Sequence, residues 1–510
     1  MSSNNEDMKK EQNKFINEID RYYNSLTGVT SENLRSVLGS NSDFTCRMLL
    51  VRDNPDIPAD LAYLDGLVDN KVINDNILKP LAQDTQFDSC RTETEAASLI
   101  SKGAVYSSSL KARTNMKELV DDILTGNAAV IFNNAKLAFT FEVKSSLSRS
   151  ISEPTGENVI KGAKDSFIEN LRSNTALCRQ KVKSPYLAIE EIIVGKQTKT
   201  KVALLYLKNI VADKLINEVR QRIKGIETDK ILTPGVVEEF IIDEKFSTFP
   251  QMLYTERPDR FCSSLVDGRV GIIIEGAPIA YVVPGTLLQF MQTPDDYSNQ
   301  FIVGSVLRLL RFIALFITLV LPGFYICITT FHTEMLPAEL AFSIVASKEG
   351  VPFPMFVEVI ILLIAFELLV EAGLRLPKTI GQTVSIVGAL VVGQAAVEAK
   401  ILSPATVIIV ALTAIASFTL PNQDFSNAIR LWRFFLVITS SIIGMFGLTW
   451  GLIMILFHWC RMESYGVPYL DPFVANEDEQ LQDTLFRLPI STMKKRPSGL
   501  NAKNKNRSEK

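Results

Sequence analysis

Histidine is scarce in this chain, with two among 510 residues, and both of them, His332 and His458, lie at ends of apolar segments. A Ser/His/Asp or Cys/His arrangement is therefore excluded from the polar part of the chain. The sequence also lacks the GxGxxG, P-loop, GxSxG and HExxH motifs of nucleotide-binding proteins, hydrolases and zinc peptidases. We therefore predict a protein that is not an enzyme and carries no cofactor.

Six cysteines are scattered without CxxC or zinc-like spacing. This usage is typical of reduced thiols in a cytosolic compartment and predicts neither disulfides nor a metal site. The first 311 residues contain no basic patch with interleaved aromatic residues, so we expect no nucleic-acid partner. The N-terminus lacks the apolar core of a secretory signal, and membrane insertion is predicted to begin at 312–331.

Charge is nearly absent from residues 312–460, which hold 14 of the 109 Asp, Glu, Lys and Arg side chains. A helix of about 20 apolar residues is long enough to cross about 30 Å of hydrocarbon. An all-α, multi-pass membrane domain is therefore predicted over residues 309–460, with five hydrophobic segments at 312–331, 353–372, 379–397, 401–420 and 434–457.

The residues before this block alternate between strand and helix patterns. We predict a flexible tail over 1–25 and two α/β soluble domains over 26–148 and 149–308. A polar, basic C-terminal tail over 461–510 is predicted to be disordered, and its charge could hold anionic lipid headgroups or only keep the tail soluble. Local patterns predict, among other elements, a strand at 44–51, a hairpin around Asn133–Asn134, a helix over 162–182 and a strand at 238–243.

Three glutamates interrupt the second apolar segment, and an arginine follows it. Glu367, Glu371 and Arg375 recur at i, i+4 and i+8, so they share one helix face and the last two can form an ion pair. Glu358 lies roughly opposite Glu367 on the helical wheel. Since a charge inside a bilayer is costly, we interpret these residues as an ion path or gate. Two alternatives remain open: Glu371 and Arg375 at the water interface, and neutral, hydrogen-bonded glutamates that hold helices together.

A ridge of small residues recurs every four positions in the third segment. Such spacing lets helix backbones approach closely, either within the monomer or between subunits. A proline followed by glycine, Pro322–Gly323, predicts a kink in the first span. The ridge consists of Gly381, Ser385, Ala389 and Gly393, and Gln382 and Gln394 lie beside it as further candidates for the ion path.

The charges that flank the hydrophobic segments do not indicate a single membrane topology. Arg308 and Arg311 precede the first segment and favour a cytoplasmic start under the positive-inside rule. Five full crossings would place the basic tail outside, so we favour four crossings, one re-entrant element and a cytoplasmic tail. The segment 379–397 is the candidate for the re-entrant element, and 434–457 is its rival because it contains three glycines.

A long series of motifs follows in order over about 150–420: RSISEPTGENVIKGAKDSFIENLRSNTALCR, FPQMLYTERPD, DGRVGIIIEGAP, DDY, RLLRF, LPGFYICITTFHTEMLP, EGVPFP and EAGLRLPKTIGQTVSIVGALVVGQAAVEAKILSP. In these motifs the sequence resembles the A subunits of the GerA family of spore germinant receptors. Departures are DDYS at Asp295–Ser298, where the family usually has EDYY, and Ala163, where it usually has proline.

The resemblance implies a subunit of a nutrient-sensing complex in the spore inner membrane, with its soluble domains on the cytoplasmic, spore-core side. It implies two partners, a transporter-like B subunit and a lipoprotein C subunit, and an A subunit that oligomerises as a channel-like component coupling nutrient sensing to ion release. A SpoVAF-like accessory ion-release subunit shares these motifs and remains an alternative. A secondary transporter that itself moves the nutrient is a third reading.

Overall fold

The structure is a computed structural model. It describes Leu26, residues 28–105, 109–145, 154, 156–157, 159, 161–375, 393–474 and 482–507. The chain divides into two compact units. The first comprises Met1–Asp243, Met252–Pro284 and Ile490–Lys510, and the second comprises Glu244–Gln251 and Gly285–Pro489.

The first unit contains two five-stranded antiparallel sheets with the same strand order. The order is β1-β2-β4-β5-β3 in one sheet and β6-β7-β9-β10-β8 in the other, so the second repeats the first, strand for strand. The first sheet consists of β1 Phe44–Leu50, β2 Pro58–Leu64, β3 Leu110–Arg113, β4 Asn127–Phe132 and β5 Leu137–Glu142. The second consists of β6 Leu187–Val194, β7 Thr200–Leu207, β8 Leu253–Thr255, β9 Val270–Ile274 and β10 Ala280–Val283.

Helices occupy equivalent places in the two halves of this unit. One helix precedes the first strand of each sheet, further helices separate its second and third strands, and one separates its third and fourth. The helices are α1 Ser31–Leu38, α2 Asn70–Ile73, α3 Lys79–Gln83, α4 Glu93–Ser101, α5 Met116–Leu124, α6 Leu171–Lys181, α7 Asp213–Lys224, α8 Pro234–Ile241 and α9 Pro258–Asp267. The soluble region is therefore built from strands and helices, as predicted, with antiparallel sheets.

Local predictions in this region had mixed outcomes. The strand at 44–51 and the hairpin at Asn133–Asn134 are confirmed, because β1 and the pair β4–β5 occupy those positions. The strand predicted at 238–243 is wrong: Pro234 opens α8 at a position where its missing N–H costs nothing, and Val237 and Ile241 are buried at i, i+4 spacing. The helix predicted over 162–182 begins only at Leu171, where the Asn170 side chain caps it.

A buried ion pair joins the two halves of the first unit. The Arg179 guanidinium donates to both carboxylate oxygens of Asp43, at 2.9 and 3.0 Å, and to the carbonyl oxygen of Leu187 at 2.8 Å. Both side chains are almost fully buried. Next to this pair, the Ser42 N–H donates to the carbonyl oxygen of Ile189 on β6. The segment before β1 is thus attached to the first strand of the second sheet.

The C-terminal tail departs from the predicted disorder. Lys503 donates its backbone N–H to the carbonyl oxygen of Ile210, and its ammonium lies 2.7 Å from the Asp213 carboxylate. Arg507 pairs with Asp267 at 2.6 Å. Leu500 and Ala502 are buried, and the chain from Ile490 onward belongs to the first unit. The tail is held here by specific pairs and by apolar burial, which composition alone does not reveal.

The second unit is helical. Among the residues that the structure describes, one helix, Phe301–Phe331, is both long and apolar enough to cross a membrane by itself. The helices are α10 Leu287–Met291, α11 Pro294–Ser298, α12 Phe301–Ile326, α13 Ala338–Ser347, α14 Met355–Arg375, α15 Pro404–Phe418, α16 Gln423–Ile443 and α17 Met445–Arg461.

The predicted hydrophobic segment 434–457 is not a single helix. It contains the end of α16 and most of α17, which turn back on each other at Gly444, where φ is +64°. A Cβ at Gly447 would lie 2.1 Å from the carbonyl oxygen of Thr439, and one at Gly451 would lie 2.4 Å from Leu436. Glycine is required at Gly447 because the backbones of the two helices approach closely there, whereas at Gly451 it leaves room for the Leu436 side chain.

Candidate functional site

The helices of the second unit have defined directions relative to one another. Helices α14 and α15 run parallel, since Glu358 contacts Ser403 near their first residues and the rings of Phe366 and Phe418 meet further along. Helix α16 runs antiparallel to α14, because Glu367 of α14 pairs with Arg433 while later residues of α16 pack near Glu358. Helix α17 runs antiparallel to α16.

A cluster of oxygen atoms surrounds Glu358 at one end of these helices. The side chain of Glu358 is fully buried. Its Oε2 accepts hydrogen bonds from the backbone N–H of Ser403 at 2.8 Å, from the hydroxyl of Ser403 at 2.8 Å and from the hydroxyl of Thr406 at 3.2 Å. Ser403 is the cap residue of α15, so the carboxylate lies at the positive end of that helix. A negative charge at this position is stabilised without water.

The other oxygen of this carboxylate faces a lysine. Oε1 of Glu358 has no hydrogen-bond partner in the described part of the chain, and the Lys348 ammonium lies 3.6 Å away. That distance allows charge attraction but exceeds a hydrogen bond. The buried Tyr325 hydroxyl, in the same apolar cluster as Met355 and Val359, also lacks a partner among described residues. We call Glu358, Ser403, Thr406 and Tyr325 the Glu358 cluster.

Glu367 occupies a different environment, facing two arginines of α16. Its Oε1 accepts from the Arg433 guanidinium at 2.6 Å and its Oε2 from Arg430 at 3.4 Å. The Arg433 side chain is 0% exposed and that of Arg430 10%. Nε and Nη1 of Arg433 and Nε of Arg430 are buried and have no partner in the described ranges. Two positive charges therefore share one carboxylate.

The remaining candidates of the ion path lie at the surface of the chain or outside the described residues. Glu371 and Arg375 form the predicted ion pair, at 2.6 Å, and are 57% and 79% exposed. Gln394 is exposed and donates to Glu398 at 2.9 Å. Gln382 lies outside the described residues. The structure thus separates the four charged residues into the buried carboxylate of Glu358, the partly exposed carboxylate of Glu367 and one exposed pair.

One of the four residues of the small-residue ridge, Gly393, lies within the described part of the chain. Gly381, Ser385 and Ala389 lie outside the described residues. Gly393 is described and buried, and a Cβ there would lie 3.7 Å from Val407 of α15. Pro322 and Gly323 lie inside α12, where a Cβ on Gly323 would lie 2.8 Å from the Ser440 hydroxyl oxygen of α16. The glycine therefore allows close packing of α12 against α16.

Sequence reasoning missed a buried charge network at the beginning of α12. Asp296, fully buried, pairs with Arg308 at 3.2 Å and with Arg311. Arg308 also pairs with Asp483 at 2.8 Å, and Arg487 donates to the carbonyl oxygen of Asp296. The Asp296 and Arg308 motifs were visible in the sequence. The pairing of Arg308 with Asp483 could not be predicted, because Asp483 lies 175 residues further along the chain.

The segment Glu244–Gln251 packs at the opposite end of the helices from the Glu358 cluster. Phe249 is buried among aromatic rings and stacks on Trp432 at 6.2 Å. Trp432 donates its indole N–H to the Thr248 hydroxyl, and Ser247 lies 3.0 Å from His458. His458 also lies against the Trp432 ring, at 5.9 Å between ring centroids. Groups of three His, Cys, Asp or Glu side chains able to hold a metal ion do not occur in the described ranges.

Comparison with known proteins finds similarity to spore germination proteins. The family model described as Bacillus/Clostridium GerA spore germination protein matches residues 32–499. The chain is 39% identical over 468 residues to spore germination protein KA of Bacillus subtilis (strain 168), an alignment covering 92% of this chain and 85% of that protein. It is 40% identical over 468 residues to spore germination protein B1 of the same organism, covering 92% and 95%.

Among solved structures, the chain is similar to the crystal structure of the N-terminal domain of the A subunit of the Bacillus megaterium spore germinant receptor GerK3. The sequence identity is 30% and the TM-score 0.42, and the match covers 52% of this chain and 98% of that chain. The resemblance inferred from the motifs over about 150–420 is confirmed by the family model, which extends it over most of the chain. The chain therefore belongs to the GerA family of spore germination proteins.

Proposed function

We propose that this protein is the A subunit of a nutrient germinant receptor in the spore inner membrane, and that it oligomerises as a channel-like component that couples nutrient sensing to ion release. The observation that carries the proposal is the fully buried carboxylate of Glu358 between two apolar helices. A buried acid in such surroundings is expensive and typically marks an ion pathway. Its partners would be a transporter-like B subunit and a lipoprotein C subunit.

Glu358 and Glu367 have different roles in this proposal. Glu358 supplies a negative charge to a passing cation, whereas Glu367 is neutralised by Arg433 and Arg430 and holds α14 against α16. Glu371 and Arg375 form an exposed pair near the end of α14, where side chains reach water. The excess of acids over bases in the apolar block, 8 against 6, favours cations over anions. Gln382 and Gln394 remain candidates beside the third segment.

A topology with the tail on the same side as the soluble domains fits this role. The tail and the two sheets belong to one compact unit, so we place both on the cytoplasmic side. Arg375 and Ser403 lie at opposite ends of the parallel pair α14–α15, and we propose that the third hydrophobic segment, 379–397, is a further pass between these ends. Counting the α16–α17 hairpin as two passes, we propose six passes, formed by α12, α14, the third segment, α15, α16 and α17. This replaces the four crossings and one re-entrant element favoured from the sequence.

Cysteine labelling tests this topology in sealed cells. In a version lacking the native cysteines, Ser343→Cys on α13 is expected to react with an impermeant thiol reagent, because that helix lies at the Glu358 end. Ser491→Cys in the tail is expected to resist it until the membrane is permeabilised. Both serines are exposed, so accessibility within the fold is matched. Rapid labelling of Ser491→Cys in sealed cells would contradict the proposal.

Assembly is proposed to use the small-residue ridge of the third segment. Ala389→Leu would place a large side chain on that ridge and is expected to lower the amount of assembled oligomer. Crosslinking of membranes measures this directly. An oligomer of unchanged size and yield in the variant would show that the ridge does not form the subunit interface.

Ion flux is the decisive test of the function. The chain is reconstituted with its B and C subunits in liposomes loaded with K⁺, and release is measured after nutrient addition. Glu358→Gln is expected to slow release, and Glu371→Gln, a matched change at an exposed site, is expected to leave it unchanged. Nutrient-triggered assembly without release above that of empty liposomes would overturn the channel role. Accumulation of nutrient inside the liposomes would favour the transporter.

A further inference from the structure

The Glu358 cluster combines hard oxygen atoms with an incomplete set of partners. Three hydrogen bonds reach Oε2 of Glu358, while Oε1 and the hydroxyl of Tyr325 have none among described residues, although both are buried. A buried acceptor without a partner typically costs 1–3 kcal/mol, so such atoms persist where something else can contact them. The hydroxyl groups of Ser403 and Thr406 add oxygen lone pairs beside the carboxylate.

Lys348 is the cation that faces this cluster in the structure. It follows α13, a helix with no buried residue, and its side chain is 30% exposed. The turn that holds it is closed by the N–H of Val351, which donates to the Lys348 carbonyl oxygen at 3.0 Å, and Gly350 adopts a φ of +90°. The ammonium therefore lies on a surface segment, not on the helices that form the cluster.

Separating the pair costs less free energy for Lys348 than for Glu358. The lysine, partly exposed and beyond hydrogen-bond distance, loses little when it moves into water. The glutamate cannot reach water, and leaving it without a counter-charge is strongly unfavourable. A departing ammonium would therefore be replaced by another cation or by a proton, rather than leaving the carboxylate alone.

From this arrangement we propose that the Glu358 cluster is a binding site for a monovalent alkali cation, and that the Lys348 ammonium is a built-in competitor that occupies it when the site is closed. The proposal rests on the function proposed above, and names the cation class and its regulation. One carboxylate with neutral hydroxyls matches a single positive charge. Ca²⁺ takes 6–8 oxygen ligands and usually several carboxylates, which the cluster does not offer.

The site is tested by cation binding to the full-length protein in detergent, without any flux measurement. Thermal unfolding is compared in KCl, NaCl and N-methylglucamine chloride at equal ionic strength. Lys348→Met is expected to be stabilised by K⁺ or Na⁺ with a saturable concentration dependence. If the ammonium occupies the site about nine-tenths of the time, its removal lowers the apparent Kd about tenfold relative to wild type.

Two controls separate the site from general effects of charge. Lys400→Met removes a lysine next to Gly350 that forms no ion pair with a described residue, and it is expected to behave as wild type. Lys348→Met combined with Glu358→Gln is expected to lose the cation-specific stabilisation while remaining folded, because both charges of the pair are removed together.

The outcomes distinguish this site from the channel proposal. Stabilisation of Lys348→Met that is equal in all three salts, or that persists in the double variant, overturns the cation site. Stabilisation of Lys348→Met that depends on pH and not on the cation also overturns it, in favour of a proton site. Cation binding without ion release in liposomes would retain the site and refute the channel function.

Discussion

Replacing Glu367 by glutamine removes the carboxylate that faces Arg430 and Arg433, and we expect this change to destabilise the protein more than any other removal of one charge from α14. Both guanidinium groups are almost fully buried, with three N–H donors already lacking partners among described residues. Breaking a buried ion pair from one side typically costs about 3–5 kcal/mol. That is a large share of a stability of about 5–15 kcal/mol.

Glu371→Gln is the matched control, because it makes the same chemical change one helical turn further along α14. Glu371 and Arg375 are mostly exposed, and an exposed pair contributes about 0–1 kcal/mol. Full-length protein is assayed for its amount in membranes and for its thermal unfolding in detergent. Glu367→Gln is expected to accumulate poorly and unfold at a lower temperature, and Glu371→Gln to match the wild type.

A rescue experiment shows whether uncompensated charge is the cause. Combining Glu367→Gln with Arg430→Met and Arg433→Met removes the carboxylate together with both buried guanidinium charges. This variant is expected to recover much of the lost stability, since an apolar replacement of a buried ion group is often neutral. Wild-type yield and unfolding of Glu367→Gln alone would refute the reasoning. Slow ion release from a stable variant would instead return Glu367 to the ion path.

Three further predictions concern other parts of the chain. Gly447→Ala should separate α16 from α17 and reduce accumulation of the protein. Gly235→Ala is the control, because a Cβ there meets nothing within 4 Å, and it should accumulate normally. Equal yields of the two variants would contradict the close approach of the helices. Burial raises the pKa of Glu190, but hydrogen bonds from Arg220 and Tyr206 outweigh it and the pKa is lowered, so this stabilisation is lost as the pH falls below about 4.5. Glu190→Gln should therefore flatten the acid limb of the stability curve, and an unchanged limb would exclude the pair as its cause. Leu500→Asp should release the tail, seen as faster proteolysis after residue 490; unchanged cleavage would show that the tail does not depend on this burial.

The ion pair Glu371–Arg375 was predictable because helix geometry alone brings residues four apart together. The partners of Glu367 were not, since Arg430 and Arg433 are 63 and 66 positions away and only tertiary packing joins them. Glu358 was recognised as exceptional from its apolar surroundings. Its contacts with Ser403 and Lys348 depend on how α14, α15 and the segment after α13 pack, which periodicity does not encode.

The hairpin of α16 and α17 shows a limit of hydropathy. Residues 434–457 have no charge over 24 positions, so composition predicts one span. The turn depends on Gly444 at positive φ, on Gly447, which lets the two backbones approach, and on Gly451, which leaves room for the Leu436 side chain. In the sequence, these glycines indicate a re-entrant element. Composition could not place the turn, because glycine also occurs inside straight membrane helices.

The arginines before the first span illustrate why local charge rules were inconclusive. In the sequence, Arg308 and Arg311 favour a cytoplasmic start under the positive-inside rule, yet both side chains are buried and paired with Asp296 or Asp483. A neutralised arginine contributes less to orientation than an exposed one. The tail offers an argument independent of this rule, because Lys503 and Arg507 pair with Asp213 and Asp267 in the soluble region. Under the multi-pass topology proposed above, two parts of the chain that pack into the same compact unit require an even number of passes between them, whatever the charges beside each span.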